Sequence, residues 1–307
     1  MHSTDAKLGA FSDRAPAAAD SLQPPSISSS SEELIIEPGR ASGNYWRDLW
    51  RYRELLYILS WRDVAVRYRQ TVAGAAWAVV QPFMTMVIMS LVFGRVAGLP
   101  SEGSAPYPIM VFAGILPWQF FANALTAASQ SVVSNANLIS KVYFPRFIIP
   151  ISPVLVSLVD FLVAASVLAA MMVWFSFWPT WRVVALPGLV VLAIIASLGP
   201  ALLISALTVR YRDFRFILPF VVQLGMYASP VAYSSSVVRE KFGSELFLLY
   251  SLNPLVVVID GFRWALLGSA MEWYWPGVAT SLLSALVLLT VGFTYFRRTE
   301  REFADLV

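Results

Sequence analysis

The feature that most constrains this chain is a series of long stretches with almost no charged residues. Five of these stretches carry no Asp, Glu, Lys or Arg, and a sixth carries only Asp160. They cover residues 70–94, 103–140, 147–181, 183–209, 216–238 and 273–296. A helix needs about 20 apolar residues to cross a bilayer. We therefore predict an all-α membrane protein with six transmembrane helices, near 72–95, 107–131, 148–174, 184–207, 216–234 and 275–296.

The basic residues orient these spans. Lys and Arg accumulate in the cytoplasmic segments of membrane proteins. If the N-terminus is cytoplasmic, 17 of the 22 Lys and Arg residues lie on the cytoplasmic side and five on the opposite side. An even number of spans then returns the C-terminal segment 298–307 to the cytoplasm. We therefore predict a multi-pass protein with both termini inside the cell.

Two segments precede the first span. Residues 1–44 are rich in Ser, Pro and Ala, a composition that buries too little apolar area to offset its ordering entropy, and we predict a disordered cytoplasmic tail. Residues 45–70 place aromatic side chains on one helical face and basic side chains mostly on another. This pattern predicts an amphipathic interface helix along the membrane surface. The alternative is a generic anchor that only orients the first span.

The segment between the last two predicted spans is too short to cross the membrane. Within residues 239–272 the longest uncharged run has 14 residues and is interrupted by Asn253 and Pro254. Asp260 and Arg263 follow at a helical spacing that brings them close enough to pair. We predict a re-entrant periplasmic hairpin, with an amphipathic loop on the membrane surface as the alternative.

The sequence lacks the residues and motifs on which several common kinds of catalysis and cofactor binding depend. The chain has no Cys and a single His, and it contains no P-loop for ATP phosphates and no dinucleotide fingerprint. We therefore predict no enzyme activity, no catalytic residue, no bound metal and no cofactor of its own. Asp160 is the one acid within a span. An acid in that position indicates function, unless it forms a hydrogen bond with a neighbouring helix, for example through Ser or Thr.

A polar segment, residues 134–146, interrupts the apolar pattern on the predicted cytoplasmic side. Asn135 or Asn137 can cap a short helix there, and Pro145 prevents its continuation. An exposed helix with apolar and aromatic side chains indicates docking to a protein partner. A tight turn between two spans is the alternative, although a turn needs only a few residues. The candidate docking residues are Asn135, Asn137, Leu138, Ile139, Lys141, Val142, Tyr143, Phe144 and Arg146.

Five blocks of sequence, read together, resemble one known family. They are WRDLWRYRELLYILSWRDVAVRYRQTVAGAAWAVVQP, PYPIMVFAGILPWQFFANAL, SNANLISKVYFPRFIIP, ALTVRYRDFRFILPFVVQLGMYASPVAY and LNPLVVVIDGFRWALLG. In this order, over about residues 33–297, the chain is similar to the permease subunit of ABC-2-type polysaccharide exporters. These families move O-antigen, capsular polysaccharide or teichoic acid.

The resemblance implies an assembly that the residues alone do not indicate. It implies a homodimer in the bacterial inner membrane, with a pore between the two copies formed by a domain at residues 71–297. Two copies of a separate nucleotide-binding subunit would hold ATP and Mg²⁺. The segment 134–146 would be the coupling helix that inserts into that ATPase. The hairpin 239–272, with Asn253, Pro254, Asp260 and Arg263, would form the periplasmic gate.

The implied cargo is a glycan on undecaprenyl diphosphate, and several residues suit it. Arg62, Arg67 and Arg69 lie at the inner membrane boundary, where arginine forks can bind the diphosphate. Topology alone also explains them. Aromatic rings and amides within the spans suit a sugar chain, although aromatic residues near span ends are usually an interface belt. The candidates for the path are Trp77, Gln81, Phe83, Trp118, Phe120, Phe121, Tyr227 and Tyr233, beside Gln119, Asn123 and Gln223.

Two other classes of function stay open at this point. A proton-coupled secondary transporter would use Asp160 as its carrier site, and such folds usually contain repeated halves. A membrane-embedded transferase acting on polyprenyl-linked glycans would need several acids or a His at the membrane surface. Membrane lipid is an expected partner of the interface helix, and nucleic acid is not.

Overall fold

The computed structural model describes residues 50–69, 72–142, 144–268, 273–300 and 303, with only the backbone for residues 69 and 72–75. The predicted disordered tail, residues 1–44, lies outside the described residues. Within the described residues the chain is helical and contains no strand. The helices are α1 Arg53–Arg69, α2 Val72–Met89, α3 Tyr107–Ser134, α4 Ala136–Lys141, α5 Ile148–Trp174, α6 Leu186–Arg210, α7 Phe214–Ala228, α8 Ser235–Tyr250, α9 Leu255–Leu267 and α10 Trp275–Thr299.

Five helical segments are long and apolar enough to cross a membrane, within the part of the chain that the structure describes. They are Ala76–Val96, where α2 continues as a π-helix, Tyr107–Ser134, Ile148–Trp174, Trp181–Arg210, where a 3₁₀ turn leads into α6, and Trp275–Thr299. The pair α8–α9 is bent by 118° and would count as a sixth if it formed one broken span. The prediction of an all-α membrane protein is confirmed.

The fifth predicted span, residues 216–234, differs from the structure in length. The helix there is α7, which has 15 residues and ends at Ala228. Pro230 follows, and its fixed φ and missing N–H group do not favour a continuing helix. The chain turns instead and starts α8 at Ser235. α7 is therefore shorter than the about 20 residues that a perpendicular crossing requires.

Helix α3 forms the centre of the bundle. It packs along α5 and α6, and also contacts α2, α7 and α9. Most of its side chains are buried, including Phe112, Ile115 and Trp118. A helix that is apolar on all sides and surrounded by other helices is typical of a membrane bundle core.

Helix α10 reaches the bundle through a close backbone contact with α6. A Cβ atom placed on Gly292 would lie 2.1 Å from the carbonyl oxygen of Gly199, and one placed on Gly199 would lie 2.6 Å from the backbone of Leu288. Lipid tails are as apolar as the side chains, so helices in membranes associate through close packing at small residues. Gly199 and Gly292 therefore allow the two backbones to meet.

We expect Gly292→Ala to lower the free energy of unfolding by about 1–3 kcal/mol, because the added methyl group overlaps the α6 backbone. Gly188→Ala is the matched control, since a Cβ at Gly188 would meet no atom within 4 Å. Thermal unfolding of the purified variants in detergent measures the difference. Equal melting temperatures for the two variants would contradict the role given to this contact.

Candidate functional site

Helix α1 lies across α5, and a seam of polar contacts joins the two helices. Leu59 of α1 is buried in a cluster with Phe147, Ile148 and Ile149 at the start of α5. Along the seam the Ser60 hydroxyl donates to Oγ of Ser152 at 3.2 Å. The aromatic residues Tyr57 and Trp61 lie on the exposed surface of α1, and Trp50, which precedes the helix, is exposed as well. Leucine contacts thus attach α1 to the bundle, while its aromatic face stays exposed, as an interface helix requires.

The last turn of α1 supplies the two partners that Asp160 has among the described residues. Arg67 Nη1 lies 2.8 Å from Asp160 Oδ2, and the Tyr68 hydroxyl donates to Asp160 Oδ1 at 2.6 Å. Burial, and then the hydrogen bond to Asp160, raise the pKa of Tyr68, so its hydroxyl keeps its proton. Asp160 is buried, and an isolated buried carboxylate costs several kcal/mol. Asp160 therefore needs partners on a neighbouring helix. The hydrogen bond that it accepts there comes from Tyr68, whereas the sequence suggested Ser or Thr.

The three arginines predicted to bind a diphosphate differ in their surroundings. Arg62 forms an ion pair with Asp63 at 2.8 Å and also donates to Asn135 Oδ1 at 3.2 Å. Arg67 contacts Asp160, and its side chain remains 43% exposed. The side chain of Arg69 lies outside the described residues. The Arg62 side chain is 49% exposed but engages both Nε and Nη2 in its contacts. The contact described for Arg67 engages Nη1 alone.

A cavity of about 630 Å³ opens beside the Arg67–Asp160 pair. Its walls come from α1, α2, α3 and α5, and they include Trp77, Gln81 and Phe120. Gln119 and Asn123 also line it, and the Gln119 side-chain amide donates to Asn123 Oδ1 at 3.1 Å. The cavity thus combines a cation, three side-chain amides and aromatic rings.

The other candidates for the path lie elsewhere. Phe83 lines a separate cavity of about 820 Å³. Trp118 is buried beneath Gly225 and packs against Phe121, with ring centroids 5.5 Å apart. Tyr227 and Gln223 are exposed, while Tyr233 is half-buried and donates to the carbonyl oxygen of Tyr227 at 3.0 Å. The structure therefore gathers three of the eight predicted path residues, Trp77, Gln81 and Phe120, around one cavity.

The predicted docking helix exists as α4, but part of its predicted contact surface faces inward. Ile139 and Phe144 are buried in the cluster that contains Leu59, and Leu138 packs against the same cluster. The apolar side chains of Ile139 and Phe144 therefore fill the protein's own core in this structure, and their contact with a partner stays a prediction. Tyr143 lies outside the described residues.

The ends of this segment are also held within the chain. Asn135 does not cap α4 with its side chain, because its amide donates to the Ser131 carbonyl oxygen at 2.8 Å. The backbone N–H of Arg146 donates to Glu300 Oε1 at 3.0 Å, and its guanidinium donates to the carbonyl oxygen of Glu300. Among its described residues, the exposed ones are Ser134, Asn137, Ser140, Lys141 and Val142.

The predicted hairpin is formed by α8 and α9. Asn253 lies between them, and its side chain accepts from the N–H of Leu255 at 3.0 Å and donates to Ser229 Oγ at 2.8 Å. The prediction that Asp260 pairs with Arg263 is wrong. Within the described residues, the carboxylate that forms an ion pair with Arg263 is that of Glu102, whose Oε1 lies 3.3 Å from Arg263 Nη1. The turn at Asn253 and Pro254 brings Arg263 to the loop before α3, where Glu102 lies.

Arg263 is completely buried and connects three parts of the chain. Its guanidinium donates to the carbonyl oxygens of Val231 at 2.7 Å, Tyr233 at 2.8 Å and Met110 at 3.3 Å. These carbonyl groups lie where the chain leaves α7 and where α3 begins. A planar fork with five donors suits several acceptors at once, which a lysine does not.

We expect Arg263→Met to lower the free energy of unfolding by about 3–5 kcal/mol, since it leaves Glu102 and three carbonyl oxygens without their partner. Lys241→Met serves as the control, because Lys241 is exposed on the same hairpin. Thermal unfolding and the yield of monodisperse protein are the measurements. A variant as stable as the control would show that Arg263 does not hold the hairpin.

A family model for "ABC-2 type transporter" matches residues 54–267. This range starts at the second residue of α1 and ends at the last residue of α9. The chain belongs to the ABC-2 type transporter family. The Arg67–Asp160 seam, the cavity, α4 and the α8–α9 hairpin of this ABC-2 transporter chain all lie within the matched residues.

Similar proteins come from several bacteria. The chain is 27% identical over 261 residues to an O-antigen export system permease protein of Myxococcus xanthus, covering 85% of this chain and 98% of that protein. It is 25% identical over 255 residues to an O-antigen export system permease protein of Klebsiella pneumoniae, covering 83% and 95%. A polysialic acid transport protein of Escherichia coli is 22% identical over 246 residues, covering 78% and 91%.

Two residues of the ABC-2 site escaped the sequence reasoning. Tyr68 was assigned only to the apolar face of α1, although it directly follows Arg67 and can reach the same acid. Glu102 lies in the loop before α3, and no helical spacing connects it with Arg263. The available signal for Tyr68 was Asp160, since a single acid within a span needs a partner.

Proposed function

We propose that this chain is the permease subunit of an ATP-driven exporter that moves a lipid-linked polysaccharide across the bacterial inner membrane. The observation that carries the proposal is the family match over the seam, cavity and hairpin, together with relatives covered almost end to end whose names describe O-antigen export and polysialic acid transport. The cargo proposed is a glycan of the O-antigen or capsular class on undecaprenyl diphosphate.

The cavity beside Arg67 suits the part of such a cargo where lipid, diphosphate and sugar meet. A guanidinium can bind a phosphate in a bidentate fork. The amides of Gln81, Gln119 and Asn123 can exchange hydrogen bonds with sugar hydroxyls, and the rings of Trp77 and Phe120 provide flat apolar faces. These groups are the types that a charged glycolipid requires, gathered at one place.

Energy for export is proposed to come from a separate ATPase subunit, because the chain has no P-loop of its own. The proposed complex contains two copies of this permease and two ATPase subunits that hold ATP and Mg²⁺. The contact surface proposed for the ATPase is the exposed side of α4, with Asn137 and Lys141, together with Val142, which directly follows the helix. A proton carrier role for Asp160 is disfavoured by its contacts with Arg67 and Tyr68.

The experiment is purification of the affinity-tagged chain from cells that produce its natural complex. We expect an ATPase subunit with a P-loop to co-purify, and ATP hydrolysis to disappear when that subunit is removed. Val142→Asp should reduce the co-purified ATPase and the export rate by about tenfold, because Val142 is 49% exposed and a charge in the core of an interface is costly. Immunoblotting of surface polysaccharide measures export.

Val184→Asp is the matched control, since Val184 is exposed at the opposite end of the bundle and away from α4. This control should leave export and co-purification close to wild type. ATP hydrolysis by the isolated chain would disprove the proposal that a separate subunit hydrolyses ATP. Wild-type export in Val142→Asp would remove the exposed side of α4 from the ATPase contact.

A further inference from the structure

The Arg67–Asp160 pair creates a difficulty for phosphate binding. Both residues line the cavity, and their charges cancel while they remain paired. A diphosphate that enters the cavity therefore meets an attractive guanidinium and a repulsive carboxylate side by side. Strong binding requires Arg67 to release the Asp160 carboxylate and to bind the phosphate instead.

The geometry of the pair favours such an exchange. Nη1 and Oδ2 lie within 2.8 Å, but Oδ2 accepts no well-aligned hydrogen bond from any residue that the structure describes. Arg67 has no other polar partner within the described residues, so only one corner of its fork is engaged. A phosphate offers two aligned oxygens to the same guanidinium, and such bidentate contacts are stronger than a single one.

The rest of the site limits what Asp160 loses in the exchange. The Tyr68 hydroxyl donates to Oδ1 at 2.6 Å, on the oxygen that Arg67 does not contact. This bond can stay in place while Arg67 turns away, because Tyr68 and Arg67 are separate side chains. The carboxylate is then held by one hydrogen bond until the cargo phosphate leaves.

We propose that Asp160 is a specificity residue, an internal anion that competes with the phosphate group of the cargo for Arg67. This inference rests on the proposed function, since it assumes a phosphorylated lipid as cargo. Neutral sugar units cannot displace a carboxylate from a guanidinium, whereas a diphosphate can. The pair therefore admits the charged head group, and Asp160 recovers Arg67 when the neutral part of the glycan follows.

The exchange also affects how α1 is attached. Arg67 and Tyr68 form the contacts of the last turn of α1 with Asp160 of α5. Loss of the ion pair leaves this turn attached by the Tyr68 bond, while Leu59 and Ser60 still hold the preceding turns. Head-group binding would thus loosen the end of α1 that leads into the first span.

The test is a binding measurement on the full chain in nanodiscs of zwitterionic lipid. The probes are undecaprenyl diphosphate and inorganic pyrophosphate, compared by microscale thermophoresis. Asp160→Asn keeps the volume and the acceptor for Tyr68 but removes the competing charge. We expect it to bind both probes about three- to tenfold more tightly, a change within reach of one partly exposed ion pair.

Three control variants isolate the effect. Tyr68→Phe removes the other contact between α1 and Asp160 without removing the charge, and it should weaken binding by about two- to threefold, because Asp160 then has no remaining hydrogen bond from the described residues when Arg67 turns away. Arg67→Gln should weaken binding by about tenfold, in line with one charge-assisted hydrogen-bond pair. In the Arg67→Gln background, Asp160→Asn should bring a much smaller gain, because only the direct repulsion of the phosphate is relieved and no guanidinium is released.

The outcomes separate this inference from the proposed function. If Arg67→Gln weakens binding but Asp160→Asn does not tighten it, the competition is disproved and the head-group site stands. A gain in Tyr68→Phe, or a gain from Asp160→Asn that is undiminished without Arg67, would also disprove it. If Arg67→Gln binds as the wild type does, the diphosphate site of the proposed function fails as well.

Two further arms make the result decisive. Asp160→Ser is made in parallel as a second uncharged variant. Size-exclusion chromatography shows which of the two variants is folded, and binding is measured on that one. The measurements are then repeated in nanodiscs containing phosphatidylglycerol. A gain that persists there supports cargo phosphate as the competing anion, while a gain that vanishes shows that Arg67 binds membrane phosphate and overturns the inference.

Discussion

The ion pair between Arg67 and Asp160 is the interaction on which the proposed mechanism depends. A carboxylate placed within a membrane span is costly unless a partner neutralises it. The partner here comes from α1, so the charge in α5 determines where the end of α1 lies. The same contact places a half-exposed guanidinium at the edge of a cavity lined by amides and aromatic rings. The Arg67–Asp160 ion pair therefore both attaches the end of α1 and supplies the charged groups of the cavity.

Buried polar groups also need partners at the N-terminal end of α3. Arg263 lies buried in α9 and donates to the carbonyl groups of Val231 and Tyr233, which follow the end of α7, and of Met110 in the first turn of α3. Irregular backbone within an apolar environment needs such donors, because lipid offers none. The two arginines differ in one respect that fits their roles. Arg263 has all of its neighbours within the chain, whereas Arg67 retains exposed donors.

Much of the fold follows from the sequence, because charge-free stretches and the length of a bilayer crossing are local properties. They predicted the helices that became α2, α3, α5, α6 and α10 with boundaries close to those observed. α7 was predicted too long, since an uncharged run does not reveal where a turn at Pro230 ends a helix. The hairpin was expected from its length and from Asn253 and Pro254.

The site was less predictable, because its contacts join residues far apart in the chain. Asp160 and Arg67 were each singled out, but for separate reasons, and their pairing spans more than 90 residues. The buried positions of Ile139 and Phe144 depend on α1 and α10, which no local pattern in the segment 134–146 describes. Composition located the functional segments, and tertiary packing decided which side chains remained available.

The most direct measurement of the central claim is transport in proteoliposomes that contain this chain and the proposed ATPase partner. A fluorescently labelled glycan on undecaprenyl diphosphate is placed on the ATPase side, and its appearance on the other side is followed with a membrane-impermeant quencher. We predict transfer that requires hydrolysable ATP and both proteins. Transfer at the same rate without the ATPase, or no transfer with the complete complex and ATP, would contradict the account.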